Sequence, residues 1–169
     1  PEYDCLMLAR VHPQKDHSTL FNALALRPFT LVLAGNGTDD QEFVSLANSI
    51  LNKFSDKISF LGPRTDIPRL ISKANVVILA SIYEALPISL IEALRAGKPI
   101  VATDVGDVSA IVTHGFNGYL CDVQNPSQLS HSIFNILDNP DLAVSMGQAS
   151  RRLYEQRFSA SSMINKVLS

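Results

Sequence analysis

The sequence predicts an α/β fold: a Rossmann-like, doubly wound parallel sheet of about six strands in the order 3-2-1-4-5-6, with helices on both faces. Two observations carry that prediction. Short apolar runs alternate with helix-periodic segments from end to end, and neither a linker nor an internal repeat interrupts residues 1–139. The runs are nearly unbroken in apolar character, as strands covered on both faces are.

The strand candidates are Leu6–Val11, Thr30–Ala34, Lys57–Leu61, Val76–Ala80, Pro99–Ala102 and Tyr119–Cys121. Between them, Ser18–Leu26 carries Leu20, Phe21, Leu24 and Ala25 at helical spacing, with Asp16 or Ser18 as N-cap. Asp39–Phe54 carries Phe43, Leu46, Ala47, Ile50 and Leu51 on one stripe. Shorter helices are expected at Ile67–Lys73, Ile88–Ala96 and Val108–Val112, and longer ones at Gln128–Leu137 and Asp141–Arg157. Asn139-Pro140 separates the last two.

Composition narrows the function. A chain of 169 residues buries enough surface to need no disulfide or metal staple. Fourteen basic against sixteen acidic side chains leave a net charge of −2, which speaks against a general grip on nucleic acid or an anionic membrane. Cys5 and Cys121 lie far apart without a C-x-x-C spacing, as expected of inert buried thiols in a reducing compartment. The apolar runs are too short for a bilayer, and the opening residues lack a basic leader pattern. His12, His17, His114 and His131 are scattered without ligand spacing, so no metal is expected. A start at Pro1 without methionine and a stop at Ser169 inside a helical pattern read as a piece of a longer protein.

In such a sheet, ligands bind at the carboxyl ends of the strands where the order reverses, between strands 1 and 4. After strand 1 comes Arg10-Val-His-Pro-Gln-Lys15, two cations flanking a proline turn. An Arg fork and a Lys point charge suit phosphate oxygens, although solvated surface cations would read the same way. After strand 4 comes Ser81-Ile-Tyr-Glu84-Ala-Leu-Pro87, followed by a helix that ends before Gly97. Pro87 is expected at its first position and Gly97 just past its end. The backbone N–H groups of Leu86, Ile88 and Ser89 then open the helix as an anion site beside Pro87.

The helix is apolar on most sides and is expected to be buried, so Glu92 must be paired or hydrogen-bonded. It can accept from vicinal hydroxyls, or pair with Arg95 or Lys98. Glu84 lies before the helix, nearer the crevice. Gly35-Asn36-Gly37 follows strand 2; it fails as a dinucleotide fingerprint but allows close backbone approach at Gly37. Arg64, in the turn after strand 3, is expected at the crevice edge. Lys15, taken as exposed, is expected to matter little for stability.

These residues resemble the C-terminal, donor-binding domain of GT-B retaining glycosyltransferases of the family-4 type, the glycosyl transferases group 1. The matching stretches are ARVHPQKD, LVLAGNG, ISFLGPRTDIPRLISKANVVILAS, YEALPISLIEALRAGKPIVATDVG and GFNGYL. The most specific sign is the E-x7-E pair, Glu84 and Glu92, ahead of Ala96-Gly97-Lys98-Pro99. Ala9, Asp16 and Ala85 depart from the family, which often has glycine there.

The resemblance implies that Arg10, Lys15 and Glu84 are catalytic. Arg10 and Lys15 hold the donor diphosphate, and Glu84 meets hydroxyls of the transferred sugar. It implies that Gly37, Arg64, Leu86, Pro87, Ile88, Ser89 and Glu92 bind the donor, Glu92 through the ribose. No cofactor or metal is implied. A UDP-sugar is the favoured donor. The acceptor would be a glycan or lipid-linked glycan, reached through a missing N-terminal domain. The location implied is cytoplasmic, at or near the inner face of the membrane. Residues 1–169 would be the donor domain alone, and the segment from Phe158 would cross back to its partner domain. Two other readings remain open: a non-catalytic nucleotide-binding module, and a UDP-sugar epimerase of GT-B-like fold. A NAD-binding dehydrogenase is disfavoured, since the first turn carries Arg-Val-His-Pro in place of a glycine fingerprint.

Overall fold

A computed structural model describes residues 1–169. Six parallel strands form one sheet in the order β3-β2-β1-β4-β5-β6. They are β1 (Tyr3–Leu8), β2 (Leu31–Ala34), β3 (Ile58–Phe60), β4 (Ala74–Leu79), β5 (Ile100–Thr103) and β6 (Gly118–Cys121). Seven helices accompany them: α1 (His17–Leu26), α2 (Gln41–Leu51), α3 (Ile67–Lys73), α4 (Ile88–Arg95), α5 (Pro126–Leu137), α6 (Pro140–Arg157) and α7 (Ala160–Leu168). This is the doubly wound parallel sheet, in the strand order that the sequence predicts.

Most boundaries lie within two residues of expectation, and the exceptions have local causes. β1 begins three residues early because Asp4 and Thr30 exchange bonds at its start, Asp4 N–H to Thr30 Oγ1 and Thr30 N–H to Asp4 Oδ2, both 2.8 Å. α2 stops at Leu51, where Asn52 takes a positive φ (51°) and a 3-10 stretch follows. The expected helix at Val108–Val112 is a 3-10 turn over Gly106–Ala110. Pro87 is the N-cap of α4 and not its first residue. Gly97 does close α4: with φ 66° it donates to Leu94, and Lys98 donates to Ala93, a Schellman motif.

The sheet is sealed on both faces. Every residue of β2 and β5 is buried. Of α4, only Leu90, Ala93 and Leu94 are buried. Ile88 is 63% exposed and Glu92 is also exposed, so the expected all-round burial of this helix is not what forms. Both cysteines are buried and free. α6 packs on α4 at Gly147, where a Cβ would stand 2.5 Å from the Gly97 carbonyl oxygen. Beyond it, α7 presents Met163, Ile164, Val167 and Leu168, all more than half exposed.

His17 packs edge-on to Phe43 and tilted against Phe21, and its Nε2 has no partner. Burial lowers its pKa from 6.5 to about 4. As pH falls, the unfolded chain takes up this proton first. The stabilisation from neutral His17 is intact above 6.5 and lost progressively toward 4. The expected loss is about 3 kcal/mol. Urea titrations from neutral to acid pH should show His17→Leu lacking that component; parallel pH curves for the two proteins would contradict it.

Candidate functional site

The strand order reverses between β1 and β4, so the loops leaving these two neighbours face one another. After β1 the chain makes a 3-10 turn over Pro13–Lys15, which His12 caps by accepting from Gln14 N–H at 3.2 Å. Asp16, left-handed at φ 48°, then caps α1. This double turn aims the Lys15 side chain across the switch point. Its Nζ donates to Glu84 Oε1, and Ser81 Oγ donates to the same oxygen at 2.8 Å. The Lys15 and Glu84 side chains are only 18% and 7% exposed. The expectation that Lys15 is exposed is therefore wrong: its ammonium neutralises a buried carboxylate.

The loop carrying Glu84 is fixed from several directions. Ile82 N–H donates to the Gln14 carbonyl at 2.8 Å, and Gln14 Nε2 donates to the Tyr83 carbonyl at 2.7 Å. Thr103, ending β5, donates through Oγ1 to the Ser81 carbonyl at 2.5 Å. Asp107 N–H donates to the Ala85 carbonyl at 3.2 Å. Gly106, at φ 52°, lies so close that a Cβ would stand 1.6 Å from the Glu84 carbonyl oxygen. Sequence reasoning gave no role to Gln14, Ser81, Thr103 or Gly106. A polar residue directly after a buried apolar strand, as Ser81 is, was the available signal.

Leu86 and Ile88 are exposed, Ser89 is partly buried and Pro87 is buried, around a helix start that no side chain caps. The first N–H groups of α4 thus keep their donor capacity and the positive end of the dipole. Arg10 is exposed and lines a cleft of about 280 Å³ with Gly35, Asn36, Pro63, Arg64 and Ile67. Arg64 is engaged there as a fork on Asp66, at 2.8 and 2.7 Å. Glu92 lines a second cleft of about 260 Å³ with Ile67, Pro68, Arg95 and Arg151. Ile67 borders both. Partial burial holds the Glu92 carboxyl above its usual range, with Arg95 pulling the other way.

Neither expected cation pairs with Glu92. Lys98 donates instead to the carbonyls of Ser72 and Ala74, at 3.1 and 2.8 Å. Gly37 faces a different cleft, with Val11, Asp40 and Phe43. The glycine that meets backbone is Gly35, whose Cβ would stand 2.3 Å from the Ala9 carbonyl oxygen. No three His, Cys, Asp or Glu side chains gather within reach of one metal ion. No helix is long and apolar enough to cross a membrane.

A cation and a carboxylate paired across the switch point, an uncapped helix start and a partly desolvated acid beside a cleft are each of a chemistry that suits phosphate or hydroxyl ligands. Residues 1–153 match the family model for glycosyl transferases group 1. The chain belongs to that family. It is 26% identical over 137 residues to N-acetyl-alpha-D-glucosaminyl L-malate synthase of Bacillus anthracis, covering 80% of this chain and 35% of that one. It is 23% identical over 172 residues to UDP-Gal:alpha-D-GlcNAc-diphosphoundecaprenol alpha-1,3-galactosyltransferase of Escherichia coli, covering 95% of this chain and 43% of that one. In structure it is similar to HepE of Anabaena, solved with UDP and glucose, at a TM-score of 0.87 and 24% identity, covering 99% of this chain and 47% of the other. The chain thus spans less than half the length of each of these three proteins.

Proposed function

We propose that this chain is the donor-binding domain of a retaining glycosyltransferase, taking a nucleotide-diphospho-sugar, a UDP-sugar by preference. The observation that carries the reading is the Lys15–Glu84 pair at the switch point, with Glu84 four residues ahead of the uncapped start of α4. Lys15, Arg10 and the α4 N–H groups meet the diphosphate. Their charge stabilises the leaving nucleoside diphosphate, an effect worth ~10²–10³ in rate for one well-placed donor. Glu84 accepts from sugar hydroxyls and Glu92 from the ribose. Arg64, already forked on Asp66, borders the base without donating to it. Leu86, Pro87, Ile88 and Ser89 shape the phosphate rim, while Gly37 stands aside from it. UDP is preferred because a named curated relative uses UDP-galactose.

The transfer itself needs a second domain. In it, the bond from the anomeric carbon to phosphate breaks, an acceptor oxygen bonds to the same face of that carbon, and the acceptor proton passes to the departing phosphate. A glycan or lipid-linked glycan is the acceptor, with the enzyme acting in the cytoplasm at the membrane face. The apolar face of α7 is what this chain offers the missing domain. The chain alone binds nucleotide without transferring sugar, and binding requires no metal.

The test is a thermal-shift panel of UDP, GDP and ADP. UDP at a hundred times its Kd should stabilise by about 2.7 kcal/mol, and a flat response to all three nucleotides refutes the reading. Glu92→Gln should cost roughly 1.5–3 kcal/mol of UDP affinity by calorimetry. Unchanged affinity would remove the ribose role.

A further inference from the structure

We propose that Gln14 is a positioning residue of the donor site, setting where the Lys15 ammonium stands by stapling its turn to the Ile82–Tyr83 backbone. The proposal rests on the reading of Lys15 as the group that meets the donor diphosphate. Gln14 directly precedes Lys15, and Tyr83 directly precedes Glu84. The residues just before the two charges are therefore bonded to each other. The contact has two points on successive residues: the Gln14 carbonyl accepts from Ile82 N–H at 2.8 Å, and its side-chain amide donates to the Tyr83 carbonyl at 2.7 Å. One bond leaves a pivot between two loops, whereas two fix both separation and rotation.

The staple matters because Lys15 has competing demands. Its ammonium is drawn to the buried Glu84 carboxylate, and an arriving diphosphate draws it outward. A long, flexible side chain answers such a pull by moving its backbone turn unless that turn is held. Holding it keeps the ammonium within reach of both partners, so the phosphate meets a charge already in place. The side-chain half of the staple is separable from the fold. Replacing the amide by an isosteric thioether leaves the Ile82-to-Gln14 main-chain bond intact.

The experiment compares UDP with uridine on wild-type chain and on Gln14→Met, with melting measured in parallel. Uridine lacks the phosphates, so a group acting through Lys15 changes UDP binding alone. We expect Gln14→Met to bind UDP roughly 3–10-fold more weakly, the equivalent of one neutral hydrogen bond, with uridine affinity within about twofold. Gln14→Glu, whose carboxylate cannot donate to Tyr83, should show the same selective loss. Equal affinity of variant and wild type for UDP would overturn the proposal. So would a parallel loss of UDP and uridine, which is what general loosening of the domain would give. A wild-type chain that binds UDP no better than uridine would instead refute the diphosphate role of Lys15 itself, and this proposal would fall with it.

Discussion

Lys15→Ala is expected to destabilise the domain by about 3–5 kcal/mol, far more than loss of a surface lysine. The cause lies in what remains. Glu84 is 6% exposed, and without the ammonium only the Ser81 hydroxyl serves its carboxylate. A charge so placed either pulls water in or takes up a proton, and both lower stability. The double variant Lys15→Met/Glu84→Gln separates folding from ligand binding. It leaves no orphaned charge and should recover most of the lost stability, while UDP affinity stays low for want of the cation. Urea denaturation and calorimetry on the single and double variants read the two effects apart. A single variant within about 1 kcal/mol of wild type would show that the pair is not buried as described.

The second large effect is expected at Gly106→Ala. The added methyl would stand 1.6 Å from the Glu84 carbonyl oxygen, well inside contact distance, so the loop after β4 must move. Because Ser81, Tyr83 and Ala85 of that loop are each bonded to other elements, its movement breaks several bonds together. We expect at least a tenfold loss of UDP affinity together with a lower melting point. Gly115→Ala is the control: that glycine is left-handed too, at φ 80°, but has nothing within 4 Å of its Cβ position. It should cost only the backbone preference, roughly 1 kcal/mol, and leave UDP binding alone. Equal behaviour of the two variants would show that close approach at Gly106 is not what constrains the site.

The sheet order was legible because buried parallel strands announce themselves as short apolar runs, and chain order with handedness then leaves few arrangements. Glu84 and Lys15 were legible as charges at a switch point. Their mutual burial was not, since residues 69 apart carry no mark of meeting. Gln14, Thr103 and Gly106 were hidden for a related reason. Each acts through main-chain atoms of a distant loop, and backbone partners leave no trace in side-chain patterns. Glu92 was misjudged in its surroundings: the apolar count of α4 suggested burial, yet Ile88 and Glu92 lie on the side that the sheet does not cover. Pro87 and the start of β1 were misplaced by short shifts, because the extended backbone of Pro87 (ψ 104°) and the Asp4–Thr30 exchange decide ends that hydropathy leaves open.

The bonding around Glu84 also sets when the site can exist during synthesis. Its members come from the turn after β1, from the loop after β4, and from the end of β5 with the turn that follows it, so a ribosome must release Gly106 before the last of them can dock. Contacts between such remote stretches close late and make for slow folding. A nascent chain that has finished β1 and β2 still lacks Glu84 and Gly106, so on the proposed reading no ligand could rescue it at that point. Nucleotide capture would therefore mark molecules whose central strands have already come together.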